Sequence, residues 1–270
     1  MIKKCIILGI SVLCLSCMAQ TAESSSQAPK IQYPAGKVSQ WKGFDRYDFT
    51  FENRKAFIVA PKTPAPGMPW LWGVQWPTAF IERTPSLKLL EKGWHYVHID
   101  LNNTRMGYDG IKIAERFYKM LQSLSFAPKA ALNGLSIGGF YALRWAAEHP
   151  ETVSCIYLDA PVTFPLITNE ASVKSYEKNY RVKGKEAVLN LALSPNNNCA
   201  VIAKAKIPII AIRHGEDMTV PTKDHLDVFA KNFRAAGGDL TVIDHKFYGH
   251  HPHGLDNPDR LVEFILKHAK

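Results

Sequence analysis

Residues 133–140 read NGLSIGGF, which sets Ser136 between Gly134 and Gly138 in the pattern G-x-S-x-G. With glycine and serine each at roughly 7% of residues, this pattern arises by chance about 0.1 times in a chain of this size, so its surroundings must decide its meaning. The apolar run AALNGL (130–135) before it reads as a strand. Residues Gly138 to Glu148 after it read as a helix, and Gly139 supplies one more residue without a side chain. A sharp strand-to-helix turn needs this composition, because side chains at the flanking positions would collide with the strand and helix that meet there. Such a turn holds the serine in a strained backbone geometry and points its Oγ outward, and the amide of Ile137 can then face a developing oxyanion.

The pattern of runs around this turn repeats along the chain. YDFTF (47–51) and KAFIVA (55–60) read as two antiparallel strands, followed by the breaker PKTPAPGMP (61–69). WLWGVQ (70–75), WHYVHIDL (94–101), VSCIYLDA (153–160), IPIIAIRHG (207–215) and LTVIDHKF (240–247) read as further strands. Helical patterns lie between them at about Pro85 to Glu91, Ile111 to Leu124, Lys223 to Ala236 and Asn257 to Lys267. Strand and helix in alternation predict a mainly parallel central sheet with helices on both faces, and sites in such sheets lie beyond the carboxyl ends of the strands.

A serine hydroxyl needs a base, and the base needs a carboxylate to hold its tautomer. Both types follow in the order Ser, acid, His that this turn predicts. RHGEDMTVP, after the strand at 207–215, offers Glu216 and Asp217, and Asp159 at the end of CIYLD is a third candidate acid. YGHHPHGL, after the last strand, offers His250, His251 and His253. Three imidazoles so close also raise a metal site. However, His250 and His251 are adjacent and would point apart in an extended loop, and Pro252 stiffens the link to His253, so no metal is expected.

The segments PWLWGVQW (69–76), NGLSIGGFYALRWAAEHP (133–150), CIYLDAP (155–161), HGEDMTVP (214–221) and GHHPHGLDNP (249–258) together resemble the α/β-hydrolase superfamily. Within it they are similar to exported bacterial serine hydrolases of prolyl-oligopeptidase-like or esterase-like type. The resemblance covers nearly everything from Phe44 to Lys270. It implies an α/β-hydrolase fold with Ser136 as nucleophile. Asp217, four residues before the proline of VP, is implied as the acid, and His250, after Gly249, as the base. It implies an oxyanion hole from Ile137 and a second amide in the loop after the third strand, at Gly73 or Val74, where Trp72 and Gly73 stand in place of the family's His-Gly pair. Trp72 and Trp76 lie near that strand end and are candidate substrate-binding residues, since an indole can stack on a sugar ring or wall an acyl pocket. Residues from about 162 to 204 correspond to a short lid, basic through Lys174, Lys178, Arg181, Lys183 and Lys185, with KEAVLNLAL as its helix.

The first residues speak to compartment. Lys3 and Lys4 precede an apolar run of about a dozen residues, too short for a bilayer span and suited to an export signal over residues 1–19. Two endings compete: LSC resembles a lipobox with Cys17 as the lipidated residue and membrane attachment point, and CMA resembles a peptidase site after Ala19. A tether over residues 20–40 would then lead into one domain, 41–270. Cys155, inside the apolar run VSCIYLDA, is expected to be a buried thiol and not to be bridged to Cys199. The formal net charge of +9 has no run longer than Lys3 and Lys4, which excludes a nucleic-acid-binding arm. No cofactor is implied. The expected activity is hydrolysis of a small or glycan ester, with a peptidase, or a glycan-binding lipoprotein without catalysis, as the other readings.

Overall fold

The computed structural model describes residues 31–269. The expected export signal, Cys17 and the first part of the expected tether lie outside the described residues. Strands β1 (Lys37–Trp41), β2 (Phe44–Phe51) and β3 (Arg54–Ala60) form an antiparallel ribbon. The expected tether therefore ends earlier than residue 40, because Lys37 to Trp41 pair with Phe44 to Asp48 as an edge strand.

The remaining strands are β4 (Trp70–Gln75), β5 (His95–Ile99), β6 (Ala130–Leu135), β7 (Val153–Asp159), β8 (Ile209–His214) and β9 (Leu240–His245). They complete one sheet in the order β1-β2-β3-β5-β4-β6-β7-β8-β9. The six strands from β5 to β9 run parallel, with β3 antiparallel to β5. Strands β4, β6 and β7 are buried along their whole length, which is why their sequences are continuous apolar runs and not alternations.

Helices α1 (Ser86–Glu91) and α8 (Asp259–His268) cover one face. Helices α2 (Tyr108–Ser123), α3 (Ile137–Glu148), α6 (Pro195–Lys204) and α7 (Leu226–Ala235) cover the other. Between β7 and β8 stand α4 (Glu170–Tyr180), α5 (Lys185–Leu189) and α6, where the sequence suggested a single helix. Helix α6 packs on α3 and α7 and buries Ile202 and Ala203, so it belongs to the scaffold and the insertion proper is α4 and α5. That insertion is pinned: Tyr176 and Tyr180 are buried, and the Tyr180 hydroxyl donates to the carbonyls of Arg105 and Met106. Cys155 and Cys199 are buried free thiols. Among the described residues no helix is long and apolar enough to cross a membrane.

Candidate active site

Ser136 is the single residue between β6 and α3, and its backbone sits at φ 51°, ψ −121°. A non-glycine residue there is strained by about 1–3 kcal/mol and stays only where its surroundings hold it. Here they do. The Ser136 amide donates to the carbonyl of Asp159 (2.9 Å), and its own carbonyl accepts from the amides of Gly139 and Val162, both at 2.9 Å. A methyl group on Gly139 would stand 2.4 Å from the Pro161 Cβ, and one on Gly134 would stand 2.8 Å from the Gly138 carbonyl oxygen. Helix and strand can meet this closely only with glycine at both places.

The β8–α7 and β9–α8 connections bring the other two side chains over this turn. The Ser136 hydroxyl donates to Nε2 of His250 at 3.0 Å, and Nδ1 of His250 donates to Oδ2 of Asp217 at 2.7 Å. Asp217 is buried, and its Oδ1 accepts from the amides of Thr219 and Val220, each at 2.8 Å. Burial pushes the Asp217 carboxyl up, but the His250 bond and these two amides outweigh it and hold the group below the usual carboxylate range. Glu216, the neighbouring candidate, is exposed.

The three imidazoles of YGHHPHGL have separate surroundings. Both nitrogens of His250 are engaged with Ser136 and Asp217. His251 is exposed and stacks on Phe80, with ring centroids 5.3 Å apart. His253 is buried and its Nδ1 donates to Oδ1 of Asp159 at 2.6 Å.

Asp159 is thus the centre of a second network that residue spacing did not indicate. Fully buried at the end of β7, it accepts the Tyr157 hydroxyl and the Gly254 amide on Oδ2, each at 2.7 Å, besides the His253 bond. Nε2 of His214 stands 3.1 Å from Asp159 Oδ1, while Nδ1 of His214 lies 2.6 Å from the carbonyl oxygen of Gly249. Burial pushes the Asp159 carboxyl up, but the bonds from His214 and His253 prevail and hold it far below its ordinary value. Burial opposes the charged form of His214 too, yet Asp159 and the Gly249 carbonyl leave its pKa raised. The loop that carries His250 is therefore held at Gly249, at His253 and at Gly254. Arg83 adds a fourth hold through Nε, which donates to the His253 carbonyl at 2.8 Å. The signal in the sequence was a histidine and an aspartate at the ends of adjacent strands.

Two expectations about the other wall need correction. Trp72 is only 1% exposed and packs among Trp70, Phe117 and Trp145 in the core, because its side chain points to the face of β4 that α2 and α3 cover. It cannot reach a substrate. Gly73 and Val74 are not loop residues: Gly73 pairs with Asn133 and Gln75 with Gly134, so both lie below the level of Ser136. The loop opens at Trp76, the first residue beyond β4, which has φ 54° and is 51% exposed. Ile137 is the first residue of α3, where a helix amide lacks an intrahelical partner.

No protein-family model matches the chain, and no curated protein matches it in sequence. Solved structures do share its shape. Acylaminoacyl peptidase from Pyrococcus horikoshii is 14% identical with a TM-score of 0.63, the match covering 83% of this chain and 42% of that one. Dipeptidyl peptidase 4 from Porphyromonas gingivalis is 14% identical with a TM-score of 0.60, covering 83% and 35%. A bacterial membrane phospholipase A is 14% identical with a TM-score of 0.53, covering 84% and 86%. The chain spans well under half the length of the peptidases it matches and most of the length of the phospholipase. With the strand order above, these likenesses establish the α/β-hydrolase fold.

Proposed function

We propose that this α/β-hydrolase-fold chain is a serine hydrolase that cleaves carboxylic esters carried by carbohydrates. The observation that carries the reading is the continuous hydrogen-bonded line from Ser136 through His250 to Asp217 over a strained strand-to-helix turn. In the proposed reaction His250 Nε2 takes the hydroxyl proton as Ser136 Oγ bonds to the ester carbonyl carbon. The oxyanion is met by the amides of Ile137 and Trp76. The carbon–oxygen bond to the sugar breaks, and His250 hands its proton to the departing alcohol. Water, deprotonated by His250, then attacks the acyl-enzyme, releasing the acid and restoring Ser136. Asp217, kept ionised, holds the His250 tautomer and offsets the charge of the imidazolium.

Export is part of the proposal: Lys3, Lys4 and the apolar run that follows support a secretory signal, with lipidation at Cys17 as the means of membrane attachment. Radiolabelled fatty-acid incorporation into wild type and Cys17→Ala tests the latter.

A peptidase reading has support from the shape shared with the two peptidases. It is tested alongside: p-nitrophenyl acetate and acetylated methyl glycosides are expected to be hydrolysed, and a proline p-nitroanilide is expected to be inert. Labelling of folded protein by a fluorophosphonate, lost in Ser136→Ala, tests the nucleophile. Absence of a Ser136 adduct would overturn the hydrolase reading as a whole.

A further inference from the structure

A hollow of about 530 Å³ opens over β2, β3 and β5 where the chain leaves β4, within the about 300–1,000 Å³ of small-molecule sites. Its inner wall is Gln75, at the end of β4, whose Cβ would lie 3.1 Å from a methyl group on Gly138, two residues past Ser136. Trp76 and Pro77 form the rim, and the floor is made by β2, β3 and β5.

Gln75 is only 3% exposed, yet its Nε2 finds no hydrogen-bond acceptor. A buried amide without a partner is uncommon and points to a group that arrives from elsewhere. His98, also lining the hollow, is buried, and its Nδ1 donates to the Gly73 carbonyl at 2.7 Å. Burial lowers its pKa, so the ring is neutral and Nε2 is left as an acceptor. A free donor and a free acceptor suit a hydroxyl group, which is both at once.

The charges lining the hollow cancel. Arg46 and Lys55 face Asp48 and Asp100, and Arg46 already grips Asp48 through Nε and Nη2 at 2.7 to 3.0 Å. An ammonium or carboxylate terminus would need an unpaired opposite charge here, and a neutral ligand needs none. The half-exposed indole of Trp76 offers the apolar surface that the C–H face of a pyranose ring requires.

We propose that this hollow is the subsite for a neutral sugar ring, which holds the alcohol half of the ester while its acyl carbon lies at Ser136. The inference rests on the serine-hydrolase reading and names its substrate class: acetylated neutral pyranosides, as opposed to acidic sugars or peptides.

The test compares kcat/KM on mono-acetylated methyl xyloside and methyl glucoside with that on ethyl acetate, which carries the same acyl group on an alcohol with no ring. Wild type is expected to prefer the glycosides by about 100-fold or more. Trp76→Ala, which removes the indole, and Thr50→Trp, which fills the hollow from β2, are each expected to cut that preference by about tenfold or more. The ratio is internal to each variant, so general damage to catalysis divides out, and Thr50→Trp keeps the test alive if Trp76→Ala does not fold. An enzyme that takes the fluorophosphonate at Ser136 but shows no glycoside preference, or keeps the preference with the hollow filled, would overturn the subsite and leave the hydrolase reading intact. Failure of the label itself would bear on the nucleophile, not on the hollow.

Discussion

His214 and Asp159 form a buried ion pair: the imidazole stands 3.1 Å from the carboxylate through Nε2, and its other nitrogen faces the Gly249 carbonyl at 2.6 Å. The carbonyl fixes a proton on Nδ1, and although burial opposes the charged ring, the Asp159 carboxylate beside Nε2 raises the His214 pKa and favours it. Removing His214 takes one partner from a buried carboxylate that keeps its bonds from His253, Tyr157 and Gly254. His214→Leu is expected to cost about 1–3 kcal/mol in urea denaturation. A loss below about 1 kcal/mol would show that the pair is neutral.

Of the adjacent imidazoles, only His250 touches Ser136. His250→Ala is expected to lower kcat on p-nitrophenyl acetate by about 10³-fold or more, and His251→Ala to leave it within about threefold. Equal losses, or a near-normal His250→Ala enzyme, would reject the assignment.

Asp217→Asn keeps the shape of the acid but lets His250 take the wrong tautomer. It is expected to lower kcat by about 10³–10⁴-fold, with KM nearly unchanged, because the carboxylate acts on the reacting state and not on substrate capture. Glu216→Gln, by contrast, alters an exposed group and is expected to leave the rate alone.

Ser136 at φ 51° carries strain that glycine would not. Ser136→Gly is expected to abolish fluorophosphonate labelling and yet raise Tm by about 2–4 °C, the shift that about 1 kcal/mol gives a domain of this size. A lower Tm would mean that the serine side chain stabilises the turn more than its backbone strains it.

The titrating groups act at different pH. His95 and His225 are buried and pushed down to about 4 by desolvation. Their contribution to stability is present above the unfolded value of about 6.5 and is lost as pH falls from there toward 4, at up to about 1.4 kcal/mol per unit for each. Asp159, held low, contributes above about pH 4 and loses its contribution on acidification. His214, held high, contributes fully below about pH 6.5 and loses its contribution as pH rises through its raised folded value. His95→Gln is therefore expected to flatten the fall in Tm between pH 6.5 and 4.5 relative to wild type. An unchanged slope would show that His95 is protonated in the fold.

The fold was legible because its signals are local. Apolar runs of five to nine residues, broken by glycine and proline, marked β2 through β9, and NGLSIGGF marked the turn by composition alone. β1 was missed because KVSQW is polar on both faces and is a strand only through its pairing with β2. The acid and base could be placed by their positions after β8 and β9. The face to which Trp72 points, the bulge that moves the loop to Trp76, and the meeting of Asp159, His214 and His253 are products of strand register and loop closure. His214 and His253, 55 and 94 positions along the chain from Asp159, meet it in space, and no periodicity encodes that.

Asp159 touches both halves of the proposed reaction without taking part in it. Its backbone carbonyl holds the Ser136 amide, and its carboxylate holds His253 and Gly254 in the loop that bears His250. Nucleophile and base are thus referenced to one residue on one rigid strand, as two jaws are to the beam of a caliper. The gap between Oγ and Nε2 is thus set from β7 as well as from β6 and β9, the strands whose ends carry Ser136 and the His250 loop.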